Sequence, residues 1–435
     1  MQISEKLERR IFFASAASAL FVSGVAIGAF APPITKFAEK MGARFDDIRV
    51  NAPAYLGIRP SGHLAPYRRE ILENISLAPG AAEPGIRLVT GLFGDKFAAR
   101  IYDEKGALVY EWPNNFFDLF PESKKYKYDA LLHGDYLYPN GDLLVVIDSQ
   151  GLARISACGD VIWRNRSLSH HSVDVDDDGF IWTPRLPKKY DDRRLAQSPV
   201  RIDRIIRIDP SNGEIVETID LASILMDAGL EGIIKANRIR ADDVVHLNDV
   251  EILKKADAAA FPMFAAGDIM LSGRNTNLIL ILDGKTRQVK WWRSGPMHGQ
   301  HDPDFEPNGE ITVYDNRTAG VGAPKNGFKG GAEGSRIIAL DPASYAYREL
   351  YKSDARNTFY SGFRGKHQQL SNGNILITES EGGRAFEATP DGRIAWMVVS
   401  KYDEKDVGWL MSATRYPSSY NVFSRTCPQT GAAKD

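Results

Sequence analysis

The sequence predicts an all-β fold, a six-bladed β-propeller preceded by one N-terminal transmembrane helix. Two observations predict the propeller. From about residue 87 the chain repeats a unit of short hydrophobic strands six times, and turns such as Asn140-Gly141 and Asp178-Gly179 separate the strands. Such dipeptides between hydrophobic runs are typical of antiparallel hairpins. Radial repetition protects the edges of four-stranded sheets, so six similar units favour a propeller. An uncharged run near the N-terminus predicts the helix.

That run covers residues 11–30 and follows the basic residues Lys6, Arg9 and Arg10. It is long enough to span a bilayer as a helix, and its basic side is expected to stay in the cytoplasm. A cleaved signal peptide is the alternative, because Ala29 and Ala31 form a small-x-small site, but the length of the run and Pro32 favour a retained anchor. We therefore expect a single-pass inner-membrane protein whose C-terminal domain lies in the periplasm.

The remaining boundaries follow from this anchor and from the repeats. Residues 1–10 are a cytoplasmic tail, 31–86 a tether with a short helix near 37–47, 87–425 the propeller and 426–435 a C-terminal tail. Helices are expected at 221–228 and 251–260. Seven or eight blades are the nearer alternative, because blade one and a closing strand near 410–416 are hard to count.

Composition restricts the function only broadly. The chain has 435 residues, a formal net charge of −2 and 25% charged residues, which is ordinary for a globular protein and gives no indication of nucleic-acid binding. Its two cysteines, Cys158 and Cys427, match no zinc motif, but one disulfide is an option for an exported protein. The oligomeric state is not indicated.

Five histidines precede turns of the repeat, and in three of them the histidine stands eight residues before a glycine. If each turn joins the first two strands of a blade, each histidine lies at the start of an innermost strand, at one mouth of the channel. This arrangement indicates an active site. The five are His133, His171, His246, His301 and His367.

Several segments around these histidines resemble the signature segments of bacterial arylsulfotransferases that work without phosphoadenosine phosphosulfate. The resemblance covers roughly residues 87–425. No single segment is specific alone, but the ordered set is. The segments are His170-His171-Ser172, His246-Leu247-Asn248-Asp249, Leu271-Ser272-Gly273-Arg274, Gln300-His301-Asp302, Asp315-Asn316-Arg317 and Leu370-Ser371-Asn372-Gly373-Asn374.

This resemblance implies transfer of a sulfuryl group from an aryl sulfate ester to a phenolic acceptor through a sulfated histidine, on a six-bladed propeller and with no metal or cofactor. It implies that His301 is the nucleophile and that His171, His246 and Arg274 hold the sulfuryl oxygens. The predicted substrate-binding set is His367, Asn248, Asn316 and Arg317, in which the two asparagines orient loops or a histidine rather than react.

General chemistry agrees with these roles. A neutral imidazole can attack, and two successive displacements let donor and acceptor use one pocket in turn. Arg274 and protonated imidazoles would stabilise charge on the sulfuryl oxygens, and nearby cations should lower the pKa of His301. A histidine could protonate the leaving phenolate. His133 is interpreted as a structural hydrogen bonder.

Two alternatives from other classes remain. One is a catalytically inactive propeller that binds an anionic ligand or an envelope protein. The other is a metal-dependent hydrolase with His171, His246, His301 and His367 as ligands. Carboxylates are scarce beside these histidines apart from Asp249 and Asp302, which weakens the metal interpretation.

Overall fold

The structure is a computed structural model that describes residue 56 and residues 61–123, 130–195, 199–236, 243–318, 334–355, 357–423 and 427. In these ranges, no helix is long and apolar enough to cross a membrane. The longest described α-helix has seven residues, about 10 Å of rise, whereas a bilayer core is about 30 Å thick. The prediction of a single-pass inner-membrane protein is corrected by this finding. The predicted anchor at 11–30 and the helix at 37–47 lie outside the described residues.

Six four-stranded antiparallel sheets make up the blades in the described residues, with strands numbered in chain order. Blade 1 contains β2 (Ile86–Phe93), β3 (Lys96–Tyr102), β4 (Leu108–Glu111) and β26 (Leu410–Tyr416). Blade 2 contains β5 (Leu132–Leu137), β6 (Leu143–Ile147), β7 (Gly151–Ile155) and β8 (Val161–Asn165). Blade 3 contains β9 (Asp174–Val175), β10 (Ile181–Tyr190), β11 (Val200–Ile208) and β12 (Ile215–Asp220).

The other three blades follow the same order. Blade 4 contains β13 (Leu247–Ile252), β14 (Ile269–Gly273), β15 (Leu278–Leu282) and β16 (Val289–Ser294). Blade 5 contains β17 (His301–Phe305), β18 (Ile311–Asp315), β19 (Arg336–Leu340) and β20 (Tyr347–Lys352). Blade 6 contains β21 (Lys366–Gln369), β22 (Ile375–Glu379), β23 (Arg384–Ala388) and β24 (Ile394–Val399). The predicted six-bladed propeller is confirmed.

Burial explains why the middle strands read as continuous hydrophobic runs. Every residue of β15 is buried, as is every residue of β6 and β22, because neighbouring blades cover both faces of each sheet. The outermost strands, such as β16, carry exposed residues. At the turns after the innermost strands, Gly141 and Gly309 adopt φ values of 85° and 86°, a left-handed conformation that favours glycine. The core therefore lies between the blades.

The C-terminal strand closes the ring. β26 pairs with β2 over Ile86↔Tyr416 to Gly91↔Leu410, so blade 1 combines both ends of the propeller sequence. This pairing settles the blade count that the sequence left open. A disulfide joins Cys158, after β7, to Cys427, which adds a covalent link between blade 2 and the C-terminal segment.

The segment before the propeller differs from the expected irregular tether. β1 (Leu64–Pro66) pairs with β25 (Asp406–Gly408), and helix α1 (Arg69–Leu72) follows. The amide of Ala78 donates to the carbonyl oxygen of Ile394 at 2.8 Å. Residues 64–85 therefore pack on the propeller.

One of the two expected helices forms. Helix α2 (Leu221–Asp227) is capped by the Asp220 carboxylate, which accepts the amide N–H groups of Ala222 and Ser223. Helix α3 (Glu231–Ala236) was not predicted. The helix expected at 251–260 is wrong, because that segment begins as the end of β13, where Val250 and Ile252 alternate into the core with period two.

Candidate active site

A small cavity lies at the starts of the innermost strands. Three of the five recurring histidines line it, together with polar residues that the same strands contribute. The lining residues are His133, His171, Ser172, Asn248, Asp249, His301, Asp302, Arg364, Gly365, Lys366 and Met411. The repeat therefore brings residues from all six blades to one pocket.

Unusual backbone conformations occur at or beside the histidines of the site. His171 and His246 have φ values of 62° and 53°. His301 is the first residue of β17, and the next residue, Asp302, has a φ value of 52°. Such conformations are uncommon for non-glycine residues and concentrate at functional sites. Gly134 allows the close approach of two blades, since a Cβ there would stand 2.8 Å from the carbonyl oxygen of His171.

Asn316 selects the tautomer of His301. The Asn316 amide nitrogen donates to the carbonyl oxygens of Ser361 (2.8 Å) and Arg364 (2.5 Å), which fixes Oδ1 on the side of His301. Oδ1 of Asn316 lies 2.7 Å from His301 Nδ1, and the carbonyl oxygen of Gly299 lies 3.1 Å from the same nitrogen. Both neighbours are acceptors, so Nδ1 carries the proton and Nε2 keeps its lone pair. Nε2 accepts the amide N–H of Arg364 at 3.1 Å.

The environment of His301 keeps its ring neutral. Burial lowers the pKa of His301 well below its ordinary value, and the positive charge of Arg274 lowers it further. The hydrogen bond with Asn316 opposes this shift. The expected lowering is therefore present, but burial rather than nearby cations is its largest cause. A neutral imidazole with a lone pair at Nε2 is a competent nucleophile.

His170 lies against His171. Burial lowers the pKa of His170, but the hydrogen bond and charge of Asp203 outweigh it, so the net shift is upward. The two Nδ1 atoms are 2.6 Å apart, so one of them donates to the other. Burial, followed by His133 and His246, lowers the pKa of His171 well below its ordinary value. His171 is therefore a neutral ring, not the protonated imidazole that was expected.

The other two histidines surround His171. The His133 ring stacks on His171 with 4.4 Å between centroids, and the His246 ring meets it edge-on at 4.7 Å. Burial lowers the pKa of His133 to about 4, although Asp148 opposes the shift. His246 Nδ1 forms a hydrogen bond with the carboxylate of Asp243. This bond holds the His246 ring in its orientation against His171.

Two arginines bring positive charge to the mouth of the cavity. The guanidinium of Arg274 lies 4.5 Å from the ring centre of Phe363, and that of Arg364 lies 4.5 Å from the ring centre of Trp409. Nε of Arg364 is buried and has no hydrogen-bond partner within the described ranges. Planar guanidinium groups match the oxygens of sulfate and phosphate esters. The arginines therefore favour an anionic ligand.

The remaining predicted residues do not all reach the cavity. Asn248 lines it and donates to the carbonyl oxygen of Gln300 at 2.7 Å, which holds the residue before His301. Arg317 has φ 52°, and its amide donates to Asp315. The side chain of His367 is 0% exposed, lies between Asp302 and Asp304, and is not among the residues that line the cavity.

Sequence reasoning missed three contributors to this site. His133, taken for a structural residue, lines the cavity, and so do Arg364 and Lys366. The rule that mouth residues precede an innermost strand would have found Arg364, which stands two residues before β21. At this blade the histidine pattern selected His367 instead.

Two groups of side chains in the described ranges could hold a metal ion. One is His133, Asp148 and His171 in the cavity wall, and the other is Asp302, Asp304 and His367. In each group the ligand atoms lie within 4.8 Å of one another. The four histidines of the metal-hydrolase alternative do not form one such group, since His367 is separated from the others.

This arrangement has the parts of a covalent group-transfer site. His301 supplies a nucleophilic nitrogen, His171 and Arg364 supply donors, and Phe363, 39% exposed, offers an aromatic surface beside Arg274. A family description, arylsulfotransferase (ASST), matches residues 136–401, which is more than half of the chain. Among the curated proteins no sequence matches.

Several solved structures are similar in fold. A protein of unknown function from Bacteroides caccae is 13% identical with a TM-score of 0.48, over 76% of this chain and 98% of that one. Virginiamycin B lyase from Staphylococcus aureus is 12% identical with a TM-score of 0.35, over 62% and 69%. The WD40 domain of Pan2 from Neurospora crassa is 10% identical with a TM-score of 0.39, over 73% and 76%.

Proposed function

The chain belongs to the arylsulfotransferase family, and from this premise we propose that it transfers a sulfuryl group from an aryl sulfate to a phenolic acceptor through a sulfohistidine at His301. The single observation that carries the proposal is the hydrogen bond between His301 Nδ1–H and Asn316 Oδ1, 2.7 Å long. It leaves the Nε2 lone pair of a buried neutral imidazole as the nucleophile at the cavity.

In the first displacement, Nε2 gives up its bond to the Arg364 amide and attacks the sulfur. An N–S bond forms and the bond from sulfur to the aryl oxygen breaks, so the bonding pair leaves with the phenolate. We assign donation to the sulfuryl oxygens to the freed Arg364 amide, the Arg364 guanidinium and the His171 ring. The ring now carries a positive charge and the attached sulfonate a negative one.

A proton must reach the leaving phenolate. We assign this proton to His246, whose Nδ1 is held by the Asp243 carboxylate. In the second displacement, an acceptor phenol returns a proton to His246 while its oxygen attacks sulfur and the N–S bond breaks. Protons and charge then balance over the cycle, and His301 regains its neutral state.

The aromatic surfaces at the mouth support an aryl substrate. Phe363 presents an exposed ring beside Arg274, and a substrate ring stacked there would hold its sulfate near the guanidinium. The roles of Arg274, Asn248 and Arg317 in binding are part of this proposal, whereas His367 is not, since its side chain is buried and does not line the cavity.

The test is chemical trapping of the intermediate. Incubation of the protein with 4-nitrophenyl sulfate and no acceptor should release one equivalent of 4-nitrophenolate in a burst, and mass spectrometry should find one SO₃ group on the peptide that contains His301. His301→Ala should abolish both the burst and the modification, with kcat lowered at least about 1,000-fold.

His298→Ala is the matched control, because His298 is an exposed histidine three residues earlier in the chain. It should keep the burst and the modified peptide. Transfer by His301→Ala at the rate of the unaltered protein would refute the proposal, as would a sulfuryl group found on His171 or His246 instead.

A further inference from the structure

The innermost strands of blades 4 and 5 carry buried acidic residues that the sulfuryl-transfer mechanism does not use. Asp249 and Glu251 lie on β13, and Asp302 and Asp304 lie on β17. Lys366 Nζ lies 2.7 Å from Asp302 Oδ1 and compensates that carboxylate. Within the described ranges, Asp249, Glu251 and Asp304 have no lysine or arginine at salt-bridge distance, so negative charge is in excess here.

His367 stands at the edge of this acidic group with one ring nitrogen engaged. Asp302 Oδ2 accepts the His367 amide N–H at 2.6 Å and lies 3.2 Å from its Nδ1. Because Asp302 can only accept, Nδ1 carries the ring proton. A carboxylate that binds Nδ1–H in this way is the usual outer partner of a metal-binding histidine.

The other ring nitrogen points at a second acceptor. Nε2 of His367 is buried without a hydrogen-bond partner in the described residues, and the nearest carboxylate oxygen, on Asp304, is 3.6 Å away. That separation exceeds a hydrogen bond. Two ligands each about 2.1 Å from one ion stand about 3.0–3.4 Å apart, so the gap fits a cation with little movement.

We propose that His367 Nε2 and a carboxylate oxygen of Asp304 bind one divalent transition-metal ion in the central channel, with Asp302 orienting the imidazole. The mixed nitrogen and oxygen donors suit an ion such as Zn²⁺ rather than Ca²⁺, which prefers oxygen alone. Asp304 is 31% exposed, which gives an ion access from the channel, and water completes the coordination.

The carboxylates around Asp304 support this assignment. Asp302 lies two residues before Asp304 on β17, and Asp249 and Glu251 lie on β13 of the neighbouring blade. A bound cation would relieve the repulsion among these carboxylates. The inference departs from the sequence-based expectation of no metal and does not depend on the proposed sulfuryl transfer.

Zinc binding to the full chain tests the proposal in the absence of any substrate. After EDTA treatment and desalting, calorimetric titration with ZnCl₂ should detect a site whose affinity falls at least 10-fold in His367→Gln and Asp304→Asn, and 10- to 100-fold in Asp302→Asn. His298→Gln and Asp391→Asn change an exposed histidine and an exposed aspartate, and should leave this site unchanged.

X-ray absorption at the zinc edge tests the same site in the unaltered protein, which avoids any folding defect of the variants. One imidazole nitrogen with oxygen neighbours is expected. Absence of imidazole, or of binding, overturns the proposal. Two imidazoles, together with loss of binding in His133→Gln but not in His367→Gln, would assign the metal to the other group and overturn it equally.

Discussion

Asn316→Ala is expected to slow sulfuryl transfer by removing the hydrogen bond that holds His301 Nδ1–H. Asn316 does not line the cavity, so this residue acts through His301 and not on the substrate. One neutral hydrogen bond contributes about 0.5–1.5 kcal/mol, so its loss should lower the ratio of the attacking tautomer to the other tautomer about 3- to 10-fold. The attacking tautomer is not lost altogether, because the carbonyl oxygen of Gly299 still accepts from Nδ1. We expect kcat to fall by that factor while KM changes little.

The same substitution should also reduce stability and move the pH profile. The carbonyl oxygen of Arg364 loses its donor, and that of Ser361 keeps only the 3.5 Å bond from Ser335 Oγ. At about 1–3 kcal/mol for each of these buried groups, the free energy of unfolding should fall by about 2–6 kcal/mol. The Asn316 hydrogen bond raises the pKa of His301, so its loss lowers that pKa further. The acid limb of the kcat profile should therefore move to lower pH.

Steady-state kinetics with 4-nitrophenyl sulfate, and urea denaturation, measure these effects. Asn357→Ala is the matched control, because Asn357 is a buried asparagine that donates to the Tyr351 hydroxyl rather than to the active site. It should lose stability but keep kcat. Unchanged kcat in Asn316→Ala, or a loss confined to KM, would refute the tautomer argument.

Three further predictions concern the frame of the site. The pKa of His133 is about 4 in the folded protein and about 6.5 in the unfolded chain, so the unfolded chain binds more protons between these pH values. The free energy of unfolding should therefore fall by about 3 kcal/mol as pH drops from 6.5 to 4. His133→Phe should flatten this part of the profile of Tm against pH. The Cys158–Cys427 disulfide spans 269 residues, and for a loop of this length the chain-entropy model gives a stabilisation of about 5.6 kcal/mol. In the double variant Cys158→Ala, Cys427→Ala, the free energy of unfolding should fall by about 2–5 kcal/mol. A decrease below about 1 kcal/mol in denaturant titrations would contradict this prediction. Gly134→Ala would place a Cβ 2.8 Å from the His171 carbonyl oxygen. Because this clash would displace His171, kcat/KM should fall about 10-fold or more. Gly232→Ala is the control: Gly232 lies in α3, no atom stands within 4 Å of the added Cβ, and the kinetics should stay normal.

The strands and turns were predictable because local periodicity encodes them. Continuous apolar runs such as β15, separated by glycine turns, predicted the blades, and the repeat placed the histidines at the starts of innermost strands. The helix expected at 251–260 failed because Asp249, Val250, Glu251 and Ile252 alternate with the period of a strand, a pattern too short to distinguish from a helix end.

The candidate site was predictable in part for the same reason. His171, His246 and His301 converge as the repeat indicated. The surroundings of His367 were not predictable, because its partners Asp302 and Asp304 lie on a strand more than sixty residues earlier. Arg364 was missed because the histidine pattern selected His367 at this blade, although Arg364 precedes β21 and its amide donates to His301 Nε2.

By itself, then, the sequence determined the repeated strands, the histidines at the mouth of the channel and the similarity to a sulfuryl-transferring family, because each depends on short-range pattern or on ordered motifs. Only the tertiary structure decided that β26 closes the ring with β2, and that Asn316 and Asp302 each select the tautomer of a neighbouring histidine. A tautomer depends on which acceptor lies within hydrogen-bond distance, and that distance is set by packing between blades rather than by spacing along the chain.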